Sequence, residues 1–389
     1  MTSLTDLYDA TLMRTFGTPQ RIFTRGQGCY LFDDQGKRYL DLLAGIAVVA
    51  VGHANPQVTA AMSDQAAKLG HASNIFATEP QIRLAERLTG LLPAPARVFL
   101  TNSGTEANEA AFKLTRLTGR TKIVAAEGSF HGRTLGALAV TWTAKYRAPF
   151  EPLPGDVTFV PYGDAAALAA AVDDDTAAVV LEPIQGESGV IVPPADYLAA
   201  ARQITAQHGA LLWLDEVQTG LGRTGAWFAH TAADIVPDII TLAKALGNGF
   251  PIGACLAIGS TADFFTPGLH GTTFGGNPLA SRVALATLDE IESVLPQVET
   301  TSAWLRDRLA TLPGVSQVRG RGLMIGLQLE QPLAAEVQGA ALQAGVVINA
   351  PRPAIIRLVP PLIVTPEDLT PFLGLWPSLY AQARNQAAA

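Results

Sequence analysis

The sequence is short of cysteine, of charge and of basic clusters, and each shortage removes a class of function. Cys29 and Cys255 stand far apart and are the two cysteines in 389 residues. They form neither a disulfide framework nor a metal-ligand cluster, so no metal centre is expected and a reducing compartment is favoured. Charged residues make up 16% of the chain and the net charge is -7, with lysines and arginines scattered. Nothing supplies the basic footprint that nucleic acid or an anionic membrane surface demands. The longest uncharged span, residues 245–262, is interrupted by Asn248, Pro251 and several glycines, which makes it a poor membrane helix. Residues 1–9 carry two acids and no basic end ahead of an apolar run, unlike a secretory signal. A soluble, cytoplasmic chain is the expectation, and 48% apolar residues supply core enough for two lobes.

What is present is organised around two apolar runs of strand length. Ala210-Leu-Leu-Trp-Leu214 leads into Asp215-Glu-Val-Gln218, and Asp238-Ile-Ile-Thr-Leu-Ala243 leads into Lys244. Neither run alternates, so each reads as a parallel strand covered on both faces that delivers its C-terminal end into a ligand crevice. Asp215 and Lys244 then emerge at the edge of a dry core, where a charge persists only if it is paired. Taken singly, each also fits a salt bridge at a sheet end or a lysine reaching for water.

The N-terminal part predicts a hairpin in residues 28–41 and helices over residues 57–69 and 79–91. From Arg97 strands and helices alternate. Strands are expected at residues 98–100, 122–126, 157–160 and 177–181, and helices at 105–117, near Leu135, at 165–172 and at 194–207. That alternation predicts an α/β protein with a mostly parallel central sheet flanked by helices. Beyond Asn277-Pro278 the pattern predicts two helices, residues 279–294 and 301–312. Strands within 315–329, 346–348 and 355–358 and a closing helix over 368–384 follow. The expected division is a large domain over residues 52–280 and a smaller α+β lobe built from residues 1–51 and 281–389.

Two glycine-bearing stretches invite a phosphate. In Thr101-Asn-Ser-Gly-Thr105-Glu-Ala-Asn108 a strand ends, Ser103-Gly104-Thr105 turns and a helix starts, so free backbone amides point into the space beyond the sheet. An ordinary N-cap, with Glu106 complementing the helix dipole, fits the same residues. Gly220-Leu-Gly222-Arg-Thr-Gly225 matches a dinucleotide fingerprint literally, but no helical stripe follows it and acids precede it, so that reading is rejected.

Several further motifs occur in a fixed order: Ser129-Phe-His-Gly-Arg-Thr134, Glu182-Pro-Ile-Gln-Gly-Glu187, Leu214-Asp-Glu-Val-Gln-Thr-Gly220, Leu242-Ala-Lys244 and His270-Gly-Thr-Thr-Phe-Gly-Gly-Asn277. With Ser103-Gly-Thr-Glu-Ala-Asn108, Gly45-Ile-Ala-Val48 and His71-Ala-Ser-Asn-Ile-Phe-Ala-Thr-Glu-Pro80, the chain resembles the class III (subgroup II) pyridoxal-phosphate aminotransferases from about Phe16 to Pro361. The resemblance implies the fold type I of pyridoxal-phosphate transferases, pyridoxal 5'-phosphate as cofactor, and a homodimer with shared active sites. It implies Lys244 as the lysine that carries the cofactor and Asp215 as the partner of its pyridine nitrogen, the two catalytic residues. Ser103, Gly104, Thr105, Phe130, Glu216, Val217, Gln218 and Thr273 complete the implied cofactor contacts, Thr273 reaching the neighbouring subunit's phosphate. His131 is left as a polar neighbour.

Substrate handling is implied for Arg133, Glu187, Thr272 and Arg357. Arg133 resembles the residue that takes the donor carboxylate or the distal carboxylate of glutamate. Arg357 resembles the one that takes glutamate's α-carboxylate, masked by Glu187 when the other donor is bound. A planar guanidinium suits both tasks. The implied reaction moves the terminal amine of N2-acetyl-L-ornithine to 2-oxoglutarate, in arginine biosynthesis. Ile46 stands where ornithine-specific relatives carry a tyrosine, and an apolar residue there suits an acylated nitrogen. Ornithine, 4-aminobutyrate or succinyl-diaminopimelate as donor, or an aminomutase of the glutamate-semialdehyde type, are the alternatives. The effect of Val49 on the pocket is left open.

Overall fold

The computed structural model describes residues 3–388. Its central sheet has seven strands in the spatial order Ala96–Thr101, Gly253–Ile258, Ile239–Leu242, Leu211–Asp215, Thr176–Leu181, Lys122–Ala126 and Asp156–Val160. Pairing is parallel except that Gly253–Ile258 runs antiparallel to both its neighbours. Every residue of Thr176–Leu181, Leu211–Asp215, Ile239–Leu242 and Gly253–Ile258 is buried, which is why these strands do not alternate. Six strands therefore end on one edge of the sheet, and the connections that leave that edge carry Ser103, Phe130, Glu182, Gln218 and Lys244.

The predicted α/β class holds. Gly253–Ile258 lies inside the uncharged span that sequence reading left unassigned; its Gly-Ala-Cys-Leu-Ala-Ile sequence has little β-branching, and burial on both faces makes it a strand. The helix expected at residues 194–207 begins later, as Tyr197–His208. Two smaller four-stranded sheets complete the molecule. One orders Phe23–Gln27, Tyr30–Asp33, Arg38–Asp41 and Val346–Val347, so an N-terminal hairpin pairs in parallel with a C-terminal strand. The other orders Val315–Arg321, Met324–Leu329, Ile355–Leu358 and Asn349–Arg352, all antiparallel. A helix at Ala334–Gln343 also went unpredicted.

The two helices expected at residues 279–294 and 301–312 are instead one, Pro278–Leu309, running through Pro296. A mid-helix proline costs about 3 kcal/mol. Ile291, Val298 and Leu305, spaced two turns apart on one stripe, are fully buried on both sides of it. Each such burial is worth about 1.5–3 kcal/mol, so packing outweighs the break. Asn277 caps the start, its side chain accepting from Ala280 N at 2.8 Å. Among the described residues no helix is long and apolar enough to cross a membrane, and no cluster of His, Cys, Asp and Glu is arranged to hold a metal ion.

Candidate active site

A cavity of about 400 Å³ opens at the strand-end edge, and Asp215 and Lys244 both line it. Asp215 closes its strand with the carboxylate 4% exposed. Its Oδ2 accepts from Asn108 Nδ2 at 2.8 Å and lies 2.7 Å from His131 Nδ1, while Oδ1 accepts from Val217 N at 3.0 Å. An ionised Asp215 puts the imidazole proton on Nδ1. His131 Nε2 and Asn108 Oδ1 are buried without a partner. Asp215 is thus fixed in place by an amide, an imidazole and a backbone N–H.

Lys244 follows the neighbouring strand, whose Thr241 is in register with Asp215. Its backbone sits at φ 44°, a left-handed conformation that a non-glycine residue adopts only where its surroundings impose it. Asn248, also left-handed, accepts from Val51 N at 2.9 Å and donates to Gly52 O at 3.0 Å, anchoring the loop that turns after the lysine. Burial pulls the Lys244 amine below its ordinary value; Arg357 acts in the same direction, and Glu187, Asp215 and Glu182 oppose it.

The helix Gly104–Arg116 points its N-terminus into the cavity. Ser103 Oγ accepts from Glu106 N at 3.2 Å, so the ordinary cap is present, and the amides of Gly104 and Thr105 remain at the positive helix end. A Cβ on Gly104 would come within 2.9 Å of the Val217 side chain. Thr105 Oγ1 is 2.7 Å from Thr134 Oγ1. Phe130 N donates to Glu182 Oε1 and Gly186 N to Oε2, each at 3.0 Å. Burial, helped by the negative charge of Asp215, pushes the Glu182 carboxyl up to about 7 against the opposing pull of His131 and these amides.

Two guanidinium groups meet the site differently. Arg133 lines the cavity, its Cζ 3.4 Å above the centre of the Tyr146 ring and 5.5 Å from that of Phe130. Arg357 is 1% exposed and lies behind Glu187 and Gln218, which line the cavity. Its Nη1 donates to Glu187 Oε1 at 2.6 Å and to Gln218 Oε1 at 3.2 Å. Burial alone would raise the Glu187 carboxyl, but Arg357 outweighs it and holds the group below the usual carboxylate range.

The family model for aminotransferase class-III matches residues 14–375. This chain belongs to that family. A curated acetylornithine aminotransferase of Mycolicibacterium smegmatis is 55% identical over 99% of this chain and 100% of its own length. Among solved structures, N-acetylornithine aminotransferase of Stenotrophomonas maltophilia matches at TM-score 0.85 with 38% identity, covering 99% of this chain and 100% of that one. Ornithine aminotransferase of Toxoplasma gondii, solved with partial occupancy of PLP at its active site, matches at TM-score 0.92 with 29% identity over 99% of this chain and 97% of that one.

Of the residues singled out from the sequence of this class-III aminotransferase, the cavity gathers Ser103, Gly104, Thr105, Phe130, Arg133, Glu187, Asp215, Val217, Gln218 and Lys244. Glu216 lies outside the cavity lining: its side chain accepts from Ala229 N, His230 N and Thr219 Oγ1. Thr272 lies outside the lining too, 3.4 Å from Asn102 Nδ2, and Thr273 is exposed on the same loop. Val48, rather than Ile46 or Val49, lines the cavity; Ile46 is 36% exposed at φ 67°. Asn108, His131 and Glu182 were undervalued. Glu182 carried the signal that picked out Asp215, an acid at the end of an unalternating apolar run, and Asn108 stands one helical turn beyond Gly104.

Proposed function

We propose that this class-III aminotransferase moves the terminal amine of N2-acetyl-L-ornithine to 2-oxoglutarate, giving N-acetyl-L-glutamate 5-semialdehyde and L-glutamate, with pyridoxal 5'-phosphate as cofactor. The carrying observation is the contrast between its guanidinium groups, Arg133 open to the cavity and Arg357 closed off by its 2.6 Å pair with Glu187. An enzyme that must accept a donor with one carboxylate and an acceptor with two needs one permanent and one conditional cation. The near-full-length similarity to acetylornithine aminotransferases favours an acylated donor over free ornithine.

The residues present fit the cofactor. Amides and hydroxyl at Gly104 and Thr105 suit a phosphate, Phe130 and Val217 offer apolar surface to a ring, and the Asp215 carboxylate, fixed by Asn108 and His131, suits a protonated pyridine nitrogen. When bound, the cofactor supplies the electron sink for the pair left on the donor carbon. Asp215 keeps the ring-nitrogen proton in place, a task an amide could not perform. Lys244, whose amine burial pulls below its ordinary value, would hold the cofactor's aldehyde and, once the donor amine has displaced it, would take up on Nζ the proton from the amine-bearing carbon. Arg133 grips the donor carboxylate while Glu187 masks Arg357. In the second half, Glu187 withdraws, Arg357 takes the α-carboxylate of glutamate and Arg133 the distal one. Gln218 would serve the ring hydroxyl, and Thr272 would meet substrate at the subunit boundary.

The same reading takes the enzyme as a cytoplasmic homodimer of arginine biosynthesis, with Thr273 reaching the neighbouring subunit's phosphate site. In support, Ile75, Phe76, Leu269 and Phe274 are exposed around the loop of Thr272 and Thr273, and both cysteines are free and buried. Residues 52–280 form the cofactor-binding domain, and residues 1–51 with 281–389 the small one; the pairing of Val346–Val347 with Arg38–Asp41 supports joining the two ends. Half-reaction spectra of the purified enzyme with acetylornithine, ornithine and 4-aminobutyrate test the proposal. Acetylornithine should react most efficiently, and equal efficiency for ornithine would overturn the assignment.

A further inference from the structure

Arg357 has a partner that the proposed exchange of carboxylates does not use. Asn349 Oδ1 accepts from both Arg357 Nε, at 3.1 Å, and Nη2, at 2.8 Å. The two residues face each other on adjacent antiparallel strands, Asn349–Arg352 and Ile355–Leu358. One neutral oxygen therefore grips one edge of the guanidinium, leaving Nη1 to Glu187 and Gln218 on the cavity side. Among the described residues, Glu187 is the one carboxylate within ion-pair distance of Arg357, and its side chain is 36% exposed.

We infer that Asn349 is a positioning and specificity-determining residue: it holds Arg357 by hydrogen bonds alone, so that the cation keeps its orientation and its full charge when Glu187 withdraws to admit the acceptor's carboxylate. This rests on the reading of Arg357 as the conditional carboxylate site. An amide and a carboxylate have nearly the same shape and both can accept from Nε and Nη2, but only the amide leaves the charge unspent. A carboxylate at this position would pair permanently with a buried guanidinium, and the incoming α-carboxylate would meet a neutralised partner. Were Asn349 merely closing the strand pair, that same carboxylate would serve equally well or better.

The decisive substitution is Asn349→Asp, with Asn349→Ala and Arg357→Gln alongside, in the holoenzyme. Each half-reaction is measured separately, with acetylornithine and with glutamate, together with the KM for 2-oxoglutarate and the melting temperature. Asn349→Asp should keep the wild-type melting temperature yet raise the KM for 2-oxoglutarate by about tenfold or more, with a much smaller change in the acetylornithine half-reaction. Asn349→Ala, which frees the guanidinium to turn, should also impair the glutamate half more than the donor half. Arg357→Gln should do so most strongly. If Arg357→Gln is selective while Asn349→Asp behaves as wild type, the role of Asn349 is overturned and that of Arg357 survives. If Arg357→Gln weakens both halves equally, the reading of Arg357 fails and the inference falls with it. A comparable loss in both halves for Asn349→Asp would reduce Asn349 to a structural residue and overturn the inference.

Discussion

Glu182 is a buried acid whose protonation the fold controls, and Glu182→Gln isolates that effect. The group titrates near 4.5 when free and near 7 in the folded chain, chiefly because burial disfavours its charge. A carboxyl whose folded value is raised contributes stability that is fully present below pH 4.5 and is lost as pH climbs through 7. At about 1.4 kcal/mol per pH unit, that window corresponds to about 3 kcal/mol. The 6% exposure of Glu182 means little of this is screened by water. Glutamine keeps the shape and one acceptor but does not ionise. It cannot accept from Phe130 N and Gly186 N with both its terminal atoms, so it should start with a deficit of about 1 kcal/mol at low pH. Between pH 4.5 and about 8 the difference in unfolding free energy should then move by about 3 kcal/mol in favour of the variant. Urea titrations of both proteins at several pH values, at one ionic strength, read this difference with other titrations cancelling. A difference that stays flat across the range would refute the claim that the fold holds Glu182 as an acid.

Three other perturbations probe the site. Lys244→Ala should eliminate the visible absorption of covalently held cofactor and slow the donor half-reaction by at least about a thousandfold, measured by single-turnover spectroscopy. Asp215→Asn keeps the side-chain shape but removes the charge facing the ring nitrogen, together with one of the two oxygens that accept from Asn108 and Val217, and should slow both half-reactions by at least about a hundredfold; a wild-type rate would remove Asp215 from the chemistry. Gly132 stands at φ 141°, where a Cβ would approach Thr105 Cβ to 2.7 Å and Ala137 Cβ to 2.9 Å. Gly132→Ala should therefore cost about 2–4 kcal/mol in chemical denaturation and weaken cofactor binding through Thr105.

The site was legible in proportion to how far each residue's role follows from its own strand. Asp215 and Lys244 announce themselves because an ionisable side chain at the end of an unalternating apolar run has few bland explanations in combination. Ser103, Gly104 and Thr105 are legible because a strand, a turn and a helix start follow in sequence. Glu216 shows the limit of such reading: it stands between Asp215 and Val217 in the motif, yet its carboxylate is taken up by Ala229, His230 and Thr219. Pro296 misled for another reason: its local cost is visible in the chain, whereas the stripe of Ile291, Val298 and Leu305 that overrides it matters only once there is a core to bury it in.

The amino-acid sequence by itself determined the mostly parallel α/β sheet apart from its antiparallel strand Gly253–Ile258, the strand ends that carry charge, and the family, because hydrophobic periodicity and motif order are properties of neighbours along the chain. Tertiary structure alone decided that Asn108 and His131 brace Asp215, that Val48 rather than Ile46 walls the cavity, and that Asn349 grips the edge of Arg357 away from Glu187. These contacts join residues far apart in sequence or on separate strands, and nothing local encodes them. A charge buried at such a junction is tolerated only because its partners arrive together when the sheets close.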